Sequence, residues 1–181
     1  MFEIERKFRL TALLAERVKE YMHRSDARMR PVRQIDSIYL LGIKSFEDFN
    51  QGMPVIRIRA VGDATKITYK RAIDKKGSSI EHELDIASAQ TMEKILLELG
   101  FNEVTKVIKN RSEVKIGKLA YALDEIESLG WFLEIEGITN TKDDIDGIER
   151  DIMAAAKRFD LTQSDVEVKK YDQLIAQQHT N

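Results

Sequence analysis

Six stretches of this chain alternate with period two between charged and apolar side chains, and most of them carry charges of one kind. Glu3, Glu5 and Lys7 fall in one register, with Phe2, Ile4 and Phe8 in the other. Arg57 and Arg59 alternate with Ile56 and Ile58, Lys66, Thr68 and Lys70 with Ile67 and Tyr69, and Glu134 and Glu136 with Leu133 and Ile135. Glu81, Glu83 and Asp85 form a fifth set, Lys109 and Arg111 a sixth. In a strand, residues two apart project to one side, so each stretch is predicted to be a strand with one charged and one apolar face. Any one such strand is explained by charges turned to water. Together the six are not, because a solvated face mixes Lys, Glu, Thr, Ser and Gln, whereas these faces hold cation pairs or carboxylate pairs. That segregation suits a ligand with two demands. Anionic phosphate oxygens call for Arg and Lys, and a hard divalent cation calls for carboxylate oxygen.

The rest of the sequence narrows the choices. Twenty-nine cationic and 31 anionic side chains nearly cancel, to a net charge of −2, in a chain that is 33% charged. A nucleic-acid binder usually carries a basic excess, so the arginines at 24, 28, 30 and 33 are read as a solvated connection. No cysteine is present, which removes thiolate metal sites and cysteine nucleophiles. His23, His82 and His179 are scattered without ligand spacing, so any metal is expected to bind oxygen. Charge begins at Glu3, and no apolar run approaches the ~18 residues of a membrane span, so no membrane association and a cytoplasmic location are expected. The 181 residues are expected to form one domain, 1–181.

Strands are predicted near 2–9, 34–41, 54–61, 65–71, 80–86, 104–114, 119–126 and 131–138. Three helices are predicted. One runs from Leu10 to Met22 with Leu10, Leu13, Leu14, Val18, Tyr21 and Met22 near one face. A second is capped by Ser88 and ends at Gly100, and a third follows a Thr141–Asp144 capping box. A short amphipathic segment closes the chain near Tyr171 to Ile175. Short turns between strands imply antiparallel pairing, hence an α+β protein built on one large antiparallel sheet.

Taken in order, these motifs resemble the CYTH superfamily, also called triphosphate tunnel metalloenzymes. Glu3-Ile4-Glu5-Arg6-Lys7 matches the N-terminal Glu-x-Glu-x-Lys pattern. It is followed by Ile56-Arg57-Ile58-Arg59, Thr68-Tyr69-Lys70, Glu81-His82-Glu83, Lys109-Asn110-Arg111, Leu123-Asp124 and Leu129 through Glu136. The resemblance implies an eight-stranded antiparallel β-barrel, a tunnel with helices packed outside, binding a triphosphate with Mg²⁺ or Mn²⁺. It implies metal carboxylates at Glu3, Glu5, Glu134 and Glu136, with Asp124 a further one. It implies phosphate-binding cations at Lys7, Arg57, Arg59, Lys70, Lys109 and Arg111, and carboxylates on the tunnel wall at Glu81 and Glu83. Lys7 is also a candidate proton acceptor, provided burial and neighbouring cations lower its pKa.

Size and layout look most like the class IV adenylyl cyclases, which convert ATP to cyclic AMP and pyrophosphate. The alternatives are an inorganic or thiamine triphosphatase and a polyphosphate- or nucleotide-binding module without turnover. Assembly is left open, a homodimer included. Two departures from the pattern stand out. The Asp-x-Tyr-x-Asp of cyclase-like second strands is missing, because Tyr39 is flanked by Ser37 and Leu41, and Asp36, displaced by one, falls on the opposite face. Lys170 replaces the serine of the family's C-terminal Ser-Tyr pair.

Overall fold

The computed structural model describes residues 2–45, 48–50, 52–72, 79–141 and 143–178, so His179 lies outside the described residues. Eight strands form one sheet: β1 (Phe2–Leu10), β2 (Val32–Leu41), β3 (Val55–Val61), β4 (Ala64–Ala72), β5 (Ser79–Asp85), β6 (Phe101–Ile116), β7 (Leu119–Ile126) and β8 (Gly130–Thr139). All eight begin and end within a few residues of the predicted stretches. Their order is β1-β8-β7-β6-β2-β3-β4-β5.

That order corrects the expected barrel. Among the described residues no ladder joins β1 to β5, so the sheet is open and antiparallel, with those two strands at its edges. Closure needs the first and last strands to exchange hydrogen bonds. At β1 part of that edge is taken by the chain's own later segment. Val166 bridges Phe8, and the Glu167 N–H donates to the Lys7 carbonyl at 2.7 Å. Alternation in the sequence fixes which face a side chain takes and carries no information about closure.

The chain divides into two compact units, Met1–Val32 with Lys109–Lys169, and Arg33–Ile108 with Lys170–Asn181. In the first, β1, β8, β7 and the C-terminal half of β6 turn Ile4, Phe8, Leu10, Val114, Tyr121, Leu123, Leu133 and Ile135 to one side. There they pack against helix α1 (Ala12–Ser25) and helix α3 (Ile145–Ala156). Burying each such side chain stabilises by about 1.5–3 kcal/mol. Helix α1 is capped by Thr11, whose hydroxyl accepts from the Leu14 N–H at 3.3 Å, and it buries Ala15, Val18 and Met22 at helical spacing. Leu13, expected on that face, is 78% exposed because it sits off the stripe that those three define.

The expected Thr141–Asp144 capping box is not formed. The Thr141 hydroxyl donates to the Asp144 side chain at 2.5 Å, and α3 starts after Asp144, which makes no side-chain cap bond. Arg6, on the helix-facing side of β1, forms an ion pair with Glu149 of α3. Gly137 on β8 lets α3 approach closely, since a Cβ there would lie 2.5 Å from Ile148 Cγ2.

In the second unit, β2 to β4 turn Tyr39, Ile56, Ile58, Ile67 and Tyr69 towards helix α2 (Ala89–Glu98), which covers them with Met92 and Leu96. As expected, Ser88 caps α2 by accepting from the Thr91 N–H at 3.1 Å, and Gly100 follows its end at φ +87°, a conformation that glycine adopts without strain. A last helix, α4 (Tyr171–Gln178), buries Ile175.

Candidate functional site

In the first unit the face opposite α1 and α3 is a grid of charge fixed by register. Lys7 stands opposite Glu134, and Glu5 opposite Glu136. Ala122 and Ala120 on β7 follow in those two rows, and Glu113 on β6 lies beyond Ala122. One row on, Arg9 is opposite Phe132, Phe132 opposite Asp124, and Asp124 opposite Arg111.

The contacts on this face are specific. Asp124, 0% exposed, accepts from Arg111 Nε at 2.7 Å, from Arg111 Nη2 at 2.5 Å and from Lys109 Nζ at 3.0 Å. Arg111 Nη2 also donates to Glu134. Lys7 is buried and donates through Nζ to the Lys169 carbonyl at 2.5 Å. Arg9 lies over the Phe132 ring, 5.3 Å from its centroid.

Electrostatics separates these carboxylates into two kinds. Loss of water around its carboxyl, followed by the charge of Glu134, pushes Glu5 up to about 7, although the residue as a whole is exposed. Burial, with Glu3 and Glu113 next, raises Glu136. Burial alone would raise Asp124 too, but the hydrogen bonds and charge of Arg111, then those of Lys109, outweigh it and hold Asp124 below the usual carboxylate range. Lys109 is lowered by its burial, against the pull of Asp124.

Glu3, Glu5, Glu134 and Glu136 lie on this one face, in rows that set Glu5 opposite Glu136 and Lys7 opposite Glu134. Both oxygens of Asp124 accept from cations, Arg111 and Lys109. Among the described residues no group of three or more His, Cys, Asp or Glu side chains is arranged to hold a metal ion. The glutamates stand as neighbours rather than as a finished ligand set.

The second unit carries a charged face opposite α2. Arg59 is opposite Asp36 on one side and Lys66 on the other, and Arg57 is opposite Thr68, which is opposite Glu83. Arg59 donates Nε and Nη2 to the two oxygens of Asp36, each at 2.7 Å. Lys66 donates to Glu83 at 2.8 Å, and Lys70 pairs with Glu81 at 3.2 Å. Glu81 and Glu83 thus serve here as partners of cations. Arg57 differs from its neighbours. Its Nη2 reaches Thr68 Oγ1 at 3.2 Å, while its Nε is buried with no hydrogen-bond partner among the described residues. Burial, then the nearby charge of Arg59, lowers the proton affinity of this guanidinium.

Each unit thus gathers its own share of the residues singled out from sequence: Glu3, Glu5, Lys7, Lys109, Arg111, Asp124, Glu134 and Glu136 on one face, Arg57, Arg59, Lys70, Glu81 and Glu83 on the other. Two members escaped the sequence reading. Glu113 continues the register of Lys109 and Arg111, so its spacing could have found it. Asp36 does lie opposite Tyr39, as its displacement required, yet that puts it on the face of Arg57 and Arg59.

The chain belongs to the CYTH superfamily, whose domain matches residues 1–171. A Methanocaldococcus jannaschii protein named as a candidate adenylate cyclase is 30% identical over 141 residues, 77% of this chain and 79% of that one. A solved structure from Pyrococcus horikoshii OT3 superposes with a TM-score of 0.76 at 26% identity, covering 98% of this chain and 99% of that one. A Hippeastrum protein, described as a candidate adenylyl cyclase with a dominant triphosphatase activity, shares the fold with a TM-score of 0.62 at 13% identity, over 99% of this chain and 95% of that one. No helix among the described residues is long and apolar enough to cross a membrane.

Proposed function

We propose that this protein is a divalent-metal-dependent enzyme acting on a triphosphate, and that its reaction is the conversion of ATP to cyclic AMP and pyrophosphate. The observation that carries the reading is the register that sets Glu5 opposite Glu136 and, in the next row of the same face, Lys7 opposite Glu134, which Arg111 also reaches. Such a face is short of positive charge at the glutamates and offers donors beside them, which a metal–phosphate unit satisfies on both counts.

Glu3, Glu5, Glu134 and Glu136 would hold Mg²⁺ or Mn²⁺, which when bound neutralises phosphate charge and lowers the proton affinity of a coordinated oxygen. On the first unit's face Lys7, Lys109 and Arg111, and on the second unit's face Arg57, Arg59 and Lys70, would each orient phosphate oxygens and stabilise charge as a bond to phosphorus breaks. For Lys7, whose Nζ already acts as a donor to the Lys169 carbonyl, the role is phosphate ligand rather than proton acceptor. The named activity of the Methanocaldococcus jannaschii relative supports the cyclase.

A second reading, hydrolysis of inorganic or thiamine triphosphate, is favoured by one observation. Asp36 is committed to Arg59 instead of standing in the second-strand pattern of cyclase-like members. Incubation with ATP, inorganic triphosphate or thiamine triphosphate, each with Mg²⁺ or Mn²⁺, separates the cases. Cyclic AMP with pyrophosphate is the expected product. Orthophosphate alone would replace the cyclase by the phosphohydrolase, and binding without turnover would replace both by a binding module.

A further inference from the structure

Two aspartates on these charged faces make the same contact. Asp36 on β2 stands directly opposite Arg59 on β3, and Asp124 on β7 directly opposite Arg111 on β6. In each pair the guanidinium presents its Nε and Nη2 edge to both carboxylate oxygens, at 2.7 and 2.7 Å for Arg59 and at 2.7 and 2.5 Å for Arg111. Both aspartates are buried. A buried pair matched fork to fork fixes the plane and direction of the arginine before any ligand arrives.

A metal-ligand role asks something different of Asp124. A divalent ion bound to it would sit directly against the cations of Arg111 and Lys109 that Asp124 already holds. We propose that Asp36 and Asp124 are positioning residues, each holding an arginine in place for phosphate oxygens, and that Asp124 is not a metal ligand. The inference rests on the triphosphate reading above. It gives Asp36 a role on the second unit's charged face and moves Asp124, on the first unit's, from the metal to the phosphate half of the work.

Calorimetry with inorganic tripolyphosphate, and separately with Mn²⁺ alone, on the full chain tests it. Asp36→Asn and Asp124→Asn are each expected to weaken tripolyphosphate binding about tenfold or more, as the loss of a prearranged charged contact does, while Mn²⁺ affinity stays within about twofold of the parent. Glu136→Gln is expected to show the converse, a loss of Mn²⁺ affinity. A purely structural role would lower the melting temperature and leave the affinities of the folded variants unchanged. Should Asp124→Asn fail to fold, Asp124→Glu keeps the carboxylate but shifts it by one methylene, and is expected to lose tripolyphosphate affinity in the same way. Loss of Mn²⁺ affinity in Asp124→Asn or Asp124→Glu matching that of Glu136→Gln would make Asp124 a metal ligand and overturn the proposal. So would aspartate variants that bind tripolyphosphate as the parent does. A parent that binds no tripolyphosphate would sink the triphosphate reading and this inference with it.

Discussion

At the scale of single residues, Glu5 gives the protein a dependence on pH that runs against the usual behaviour of paired carboxylates. The folded chain keeps this proton up to about pH 7, whereas an unperturbed glutamate gives it up near 4.5. The folded state therefore holds more protons across that window, and its stability falls as pH rises from about 4.5 to 7. Glu5→Gln should remove this slope and leave the ligand-free variant more stable than the parent at pH 8, with the advantage vanishing near pH 4. Urea denaturation at the two pH values checks it, and parallel curves would show that Glu5 ionises normally. Arg57 makes a second residue-scale case. Its orphaned Nε and the charge of Arg59 leave it poorly satisfied in the free protein. Arg57→Ala is expected to weaken tripolyphosphate binding about 30-fold or more, from a contact of about 2 kcal/mol upward, with little loss of thermal stability. A variant that melts much lower yet binds normally would make Arg57 a structural cation. Both residues were legible in the sequence, because period two puts a side chain on a face with no further information. The commitment of Asp36 to Arg59 was not, because it depends on which strands become neighbours and in what register.

At the scale of elements, the packing of α3 on β8 turns on the absence of one side chain. A Cβ at Gly137 would meet Ile148 Cγ2 at 2.5 Å and Leu119 Cδ2 at 3.0 Å, so α3 or β7 would have to shift. Gly137→Ala should cost about 1–3 kcal/mol through overpacking, with Mn²⁺ affinity unchanged because the charged face points away from α3. An unaltered denaturation midpoint would mean that the helix moves freely. The strands themselves were read closely from alternation. The start of α3 was misplaced because a threonine three residues before an aspartate satisfies the capping pattern whether or not the helix has begun. Leu13 shows the same weakness, since a leucine beside an apolar stripe looks like part of it until the helix phase is fixed.

At the scale of the whole molecule, near-neutral net charge conceals an uneven distribution. The first unit's charged face is rich in carboxylates, while in the second the cations are largely matched, Arg59 to Asp36, Lys66 to Glu83 and Lys70 to Glu81. Ligands that relieve such crowding stabilise the native state by mass action. With the Mn²⁺–tripolyphosphate complex at about 100 times its dissociation constant the gain is ~2.7 kcal/mol, expected as a rise of roughly 5–10 °C in melting temperature that EDTA reverses. No rise on adding both would argue against the proposed chemistry. Sequence carried the face of each strand but not the openness of the sheet, which depends on strand tilt and stagger. The segment at Val166 and Glu167 has a consequence for solubility. By pairing with Phe8 and Lys7 it occupies main-chain groups that an edge strand would otherwise present to a neighbouring molecule. A chain cut after residue 165 would keep Glu3, Glu5, Glu134 and Glu136 but lose this pairing together with α4, exposing that stretch of β1 as a template, and it should self-associate at concentrations where the full chain stays dispersed.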